Sequence, residues 1–200
     1  MDDVRQGPGR PRDREIDRSI VRATRELLSE RGYSGLTVDA VAARAGVGKA
    51  AIYRRYATKQ EMIFSVVVRG MDDELPADAG SLRADLTALC QHMAGQLGSA
   101  PSDVLSLLLA DIYADASLAN RFTNTYLARE RLAVTDLLQR AVARQELATM
   151  PDPAIVHALL AGPIFAWLLV LSEDHARLAG VADVVVEAVA GLLLSGAALG

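Results

Sequence analysis

Cysteine occurs once in the 200 residues, at Cys90, which rules out an intrachain disulfide framework and argues against a cysteine-based metal site. The expected role of Cys90 is that of a small buried apolar residue, in a reducing compartment. Histidine occurs three times and is scattered, a weak basis for metal binding. No Ser/His/Asp or paired-carboxylate spacing stands out, so the reading is no catalytic residue, no metal and no cofactor. Aromatics make up only 4% of the chain, too few for a surface that stacks single-stranded bases. The N-terminal MDDVRQGPGRPRDRE has no apolar core of the secretory kind, so no signal peptide and a cytoplasmic location are expected. No run alternates polar and apolar residues with period two for long enough to form a strand, which leaves an all-α chain.

What the chain has in quantity is apolar mass, 51% of its residues, enough for one domain or two small lobes. The formal charge of −4 conceals an uneven distribution. Residues 1–60 carry 13 basic and 8 acidic side chains, whereas the other 140 carry 8 and 17. Between Arg44 and Lys59 there are five basic residues and no acidic one. A local basic patch on an acidic protein is an attractor for a polyanion.

Helical spacing organises nearly all of the sequence. Residues 1–12, rich in Gly, Pro and Arg, read as a flexible basic arm. Ile16, Ile20, Ala23, Leu27 and Leu28 then share one helix face, and Gly32 ends that helix. Thr37 is placed to N-cap a short helix that buries Val38, Val41, Ala42 and Ala45. Gly46 breaks it, and a third helix from Gly48 or Lys49 turns Val47, Ile52 and Tyr56 inward. A fourth, from Thr58 or Lys59, packs through Met62, Ile63, Val66 and Val67. Beyond Pro76 and Gly80, long helices follow, beginning with the face of Leu82, Leu86, Leu89, Met93 and Leu97. Pro101 opens the next, and another runs from about Leu118 to Arg144. Asp152-Pro153 starts one reaching about Ser172, and the last spans about Val181 to Leu199. The segment Ala154–Leu171 is 18 residues with only His157 ionisable, near the length of a membrane span. Pro163 interrupts it and no basic cluster flanks it, so a buried interface between subunits is expected and no membrane.

The stretch GVGKAAIYRRYATK, residues 46–59, invites two readings. A phosphate-binding loop would need glycine at 43 and a hydroxyl at 50, after a strand; both positions are alanine and the stretch follows a helix. A helix-turn-helix needs two short helices, a glycine turn, and a second helix that exposes small, polar and basic side chains to a groove. Residues 37–56 meet that description. With Ile52 and Tyr56 inward, Lys49, Ala50 and Tyr53, with Arg54 or Arg55, remain for the outer faces. Alanine at the helix start permits close approach to base edges, and Lys49, Tyr53 and Lys59 have the reach for phosphates.

Gly9-Arg10-Pro11-Arg12 and RGYSGLTVDAVAARAGVGKAAIYRRYATKQEM (31–62) resemble the N-terminal domain of TetR/AcrR-type transcriptional regulators. The resemblance covers roughly residues 9–70. It implies a three-helix helix-turn-helix DNA-binding domain over 13–72, with a larger helical effector-binding and dimerisation domain over 73–200, about nine helices in all. It implies a homodimer on palindromic double-stranded operator DNA, released by a small apolar effector. Carried over by position, Thr37 would cap its helix against a phosphate, and Lys49, Ala50, Ala51, Tyr53 and Arg55 would line the groove face. Arg54 would reach a flanking phosphate, Lys59 would anchor the fourth helix, and Arg10 and Arg12 would form an arm along the duplex. Two departures stand out: Gly48 replaces a common Ser or Thr, and Arg55-Tyr56 replaces an aromatic pair.

Residues 71–200 show no motif that specifies a ligand. His92, Tyr113, Phe122, Tyr126, His157 and Trp167 are the candidates to line an effector pocket in a helical lobe. A DNA-compacting protein without effector, or an enzyme on a helical scaffold, are the competing classes.

Overall fold

The structure, a computed structural model, describes residues 11–70, 76–98, 102–171 and 173–196. The described residues contain helices and no strand. The chain divides into two compact units, Met1–Val67 and Val68–Gly200, and the division falls inside the fourth helix.

In the first unit, α1 (Pro11–Gly35), α2 (Val38–Ala45), α3 (Lys49–Tyr53) and α4 (Lys59–Gly70) follow one another. Gly32 interrupts α1 at φ 65°, a backbone conformation that favours glycine. Ile20, Leu27, Leu36, Ile52, Met62 and Ile63 are each under 2% exposed. Burial of such side chains contributes about 1.5–3 kcal/mol apiece. This small core fixes the angle at which α2 and α3 meet the surface.

In the second unit, α5 (Leu82–Gly98) packs along α10 (Leu178–Leu194), and α8 (Ala128–Ala143) packs on α5 and on α9 (Pro153–Phe165). Cys90 is fully buried at the α5–α10 contact, with its thiol pushed up to about 11 by burial. α6 (Ser102–Ala114) and α7 (Ala116–Phe122) complete the set. The helix expected from Leu118 to Arg144 is continuous but not uniform. Thr123–Leu127 is a π-helical turn between α7 and α8. Its Thr125 hydroxyl donates back to the Arg121 carbonyl at 2.5 Å, a bond that competes with the regular helix ladder.

A second π-helical turn, Ala166–Val170, extends α9 within a turn of Pro163, which supplies no amide to the ladder. Pro153–Val170 is long and apolar enough to cross a membrane, with mean hydropathy 1.9. One third of it is buried within this single chain. Exposed apolar side chains gather on the last helices and the loop between them: Ile155, Val170, Leu171, Val184, Leu192 and Leu194. In the first turn of α5, Asp85 is 3% exposed and fully satisfied. It accepts from the Ala79 amide at 2.7 Å and the Arg144 guanidinium at 2.8 Å, pinning the start of α5 to the end of α8.

Candidate nucleic-acid interface

The two short helices are set by local chemistry. Thr37 has extended backbone and its Oγ1 accepts from the Ala40 amide at 3.1 Å, a cap worth about 1 kcal/mol. Gly46 ends α2 in the left-handed conformation, φ 67°, and the Val47 amide donates to the Ala42 carbonyl at 3.0 Å. The chain then enters α3 at Gly48, whose backbone is extended and which offers no side-chain cap. The turn is tight because one glycine takes the positive φ that residues with a β-carbon resist.

Ile52 and Tyr56, 1% and 5% exposed, anchor α3 to the core. At about 100° per residue, Ala50 and Arg54 fall opposite Ile52, with Lys49 and Tyr53 on the flanks. All four are exposed, Tyr53 by 52%. This is the outward face: two small or planar groups and two cations on a helix held from behind.

Two residues expected on that face are not there. Ala51 is buried, 9% exposed, because it sits beside Ile52 on the core side. Arg55 also turns inward. Its guanidinium donates to Asp17 and to Asp13 (3.2 Å) of α1 and to the Ala51 carbonyl (3.0 Å), leaving its side chain 17% exposed. The Asp17 hydrogen bond above all holds this arginine more strongly protonated. Arg55 therefore ties α3 to α1. Arg54, expected only at the flank, takes the central outward position, with no ion-pair partner among the described residues.

The rest of the basic patch is partly neutralised by the protein itself. Lys49 pairs with Asp39, which raises its pKa through that hydrogen bond. Arg44 forms a two-pronged pair with Glu30 at 2.9 and 2.8 Å and reaches Glu26 at 3.3 Å. The Lys59 ammonium donates to the Tyr33 carbonyl at 3.2 Å and lies 5.2 Å from the Tyr33 ring centre. It thereby fastens α4 to the segment just past Gly32. Lys49–Asp39 is a solvent-exposed pair of the kind that contributes little, so a phosphate can replace the aspartate at little cost. Arg10 and the Arg12 side chain lie outside the described residues, although the Arg12 backbone falls in the first turn of α1.

The six effector candidates divide. Tyr113 is 88% exposed at the end of α6 and lines no interior. Trp167 is held locally: its indole N–H donates to the Asp174 carbonyl at 3.2 Å, and the Arg177 guanidinium lies 5.4 Å from its ring. His92 is half-buried, 2.7 Å from the Gln96 amide nitrogen on the same helix. Phe122 and Tyr126 do come together, stacked at 5.4 Å. His157 is 8% exposed on α9, and burial lowers its pKa, which favours the neutral imidazole. Among the described residues, open clefts of about 80 and 580 Å³ indent this unit at Pro76–Asp85–Arg140 and at Gly95–Gly98–His175. None of the six candidates lines either. Composition missed Glu130, one turn beyond Tyr126 and only 2% exposed. It stands in the charged run ARER, whose local pattern reads as solvent-facing.

Two short helices joined by a left-handed glycine turn, the second anchored behind and small, polar and basic in front, make a helix-turn-helix unit of the DNA-binding class. Comparison with known proteins agrees. Residues 20–66 match the model described as bacterial regulatory proteins, tetR family, and residues 76–189 match the tetracyclin repressor-like C-terminal domain. The chain belongs to the TetR family of transcriptional regulators. It is 31% identical over 185 residues to the uncharacterized HTH-type transcriptional regulator YdeS of Bacillus subtilis, covering 92% of this chain and 93% of that one. It is 30% identical over 136 residues to the DNA-binding transcriptional repressor TetR of Mycobacteroides abscessus, covering 66% of this chain and 70% of the relative. Among solved structures, a TetR/AcrR-family transcriptional regulator from Thermobifida fusca superimposes with a TM-score of 0.63. It is 27% identical, and the match covers 92% of this chain and 98% of that one.

Proposed function

We propose that the protein is a ligand-responsive repressor that acts in the cytoplasm as a homodimer on a palindromic operator. The observation that carries the reading is the outward face of α3, where Ala50, Tyr53 and Arg54 stand opposite the Ile52–Tyr56 anchor. Ala50 lets the helix approach base edges, Arg54 has the forked donors that match guanine or a phosphate, and Lys49 and Tyr53 reach the backbone on either side. A repressor reading is supported by the Mycobacteroides relative, which is named a DNA-binding transcriptional repressor.

Dimerisation is supported by the exposed apolar side chains of α9, α10 and the loop between them, which a second copy would cover. A dimer sets its two α3 helices about one turn of DNA apart, roughly 34 Å. An effector that prefers another spacing weakens DNA binding, and DNA weakens effector binding equally. A coupling of about 1–3 kcal/mol gives a 5- to 150-fold response.

Selection of bound fragments from genomic DNA tests the reading. The expected result is convergence on a palindromic site bound at least ~10³-fold more tightly than unrelated duplex. Equal capture of unrelated fragments would identify a DNA-compacting protein instead.

A further inference from the structure

Among the described residues of the second unit, Glu130 and Tyr126 form a buried polar pair on one stretch of helix, and the His157 Nε2 on α9 is likewise buried without a hydrogen-bond partner. Glu130 and Tyr126 lie one helical turn apart, at 2% and 6% exposure, within electrostatic reach of each other. Both the Glu130 Oε2 and the Tyr126 hydroxyl are buried without a hydrogen-bond partner among the described residues. A buried carboxyl oxygen left unpaired costs far more than an exposed one, so it marks either a defect or a binding group. Burial pushes the Glu130 carboxyl above its ordinary range, and the charge of neighbouring Arg129 offsets only part of that. Tyr126 lies in the π-helical turn Thr123–Leu127 and Glu130 in the first turn of α8 that follows it, and such turns recur at functional sites. Phe122 stacks on Tyr126 from the turn before, which adds an apolar, electron-rich surface.

The charged neighbour of Glu130 and Tyr126 is the cation Arg129, so the preference for a cationic ligand rests on the unpaired Glu130 oxygen itself. Residues 61–200 as a whole carry 17 acidic and 8 basic side chains, which draws cations to the unit. His157, on the helix packed against α8, has its pKa lowered by burial and by the charge of Arg131, which disfavours a competing imidazolium there.

We propose that the effector is a hydrophobic amine, its ammonium group paired with the Glu130 carboxylate and the Tyr126 hydroxyl and its apolar body against the Phe122–Tyr126 rings. This rests on reading the second unit as the effector-binding one. An ammonium supplies a donor for the unpaired Glu130 Oε2, whereas a carboxylate ligand would face like charge in a low dielectric.

Titration calorimetry of the full-length protein with 4-phenylbutylamine, 4-phenylbutanol and 4-phenylbutyrate tests this with one carbon skeleton and three head groups. The amine should bind at least ~10-fold more tightly than the alcohol, with the carboxylate weakest. Glu130→Gln should abolish the amine's advantage over the alcohol. Its melting temperature should equal or exceed the parent's, since the variant removes a buried acid. Tyr126→Phe should weaken the amine severalfold. Equal binding of the three, tighter carboxylate binding, no binding of the amine, or a preference that survives Glu130→Gln would overturn the proposal. DNA binding, followed separately by anisotropy without ligand, keeps the two claims apart. Amine binding without operator binding sinks the regulator reading alone, and the reverse sinks only the amine site.

Discussion

Arg54 and Arg55 are adjacent and chemically identical, yet α3 sends them to opposite environments. Arg55 spends its donors on Asp13, Asp17 and the Ala51 carbonyl, while Arg54 faces outward. The two should therefore fail differently. Arg55→Ala should destabilise the free protein by on the order of 1 kcal/mol, lowering the melting temperature by ~2–4 °C without any DNA present. Arg54→Ala should leave the melting temperature unchanged and weaken operator binding at least ~10-fold. A calorimetric scan and an anisotropy titration of both variants check this. An Arg55→Ala protein of parental stability that has lost only DNA affinity would reverse the assignment.

At the scale of elements, what could be read from sequence was whatever is decided within a turn of helix. Thr37 caps, Gly46 breaks, and Ile52 and Tyr56 anchor because each acts through its immediate neighbours. The inward turn of Arg55 depended on the acids of α1, about forty residues away, and that of Ala51 on the phase of a five-residue helix too short for periodicity to fix it. Glu130 was illegible for a related reason. The π-helical turn inserts a residue and rotates the downstream face by about 100°, so a carboxylate from a surface-like run enters the interior. Tyr113 misled in the opposite sense: an aromatic in an apolar helix is ordinarily inward, but this one stands at the helix end. The apolar character of Pro153–Val170 was plain from sequence, whereas what covers its exposed side chains is a property of the assembly.

At the scale of the whole molecule, operator binding as proposed needs two copies and a duplex. The purified protein should run as a dimer in size-exclusion chromatography with light scattering, without detergent. Val184→Glu, which places a charge among the exposed apolar side chains of α10, should yield monomer and lose operator affinity. A stable parental monomer would contradict the interface. The basic patch makes the sharper demand, because Lys49, Arg44 and Lys59 already have partners in the free protein and only a polyanion repays their exchange. The direct test is the operator association constant measured against salt concentration. Each phosphate neutralised contributes about −0.9 to the slope of log K on log[salt], so a dimer docked through two such faces should give a slope steeper than about −3, reduced in Arg54→Ala. A slope near zero would mean that this surface does not meet DNA.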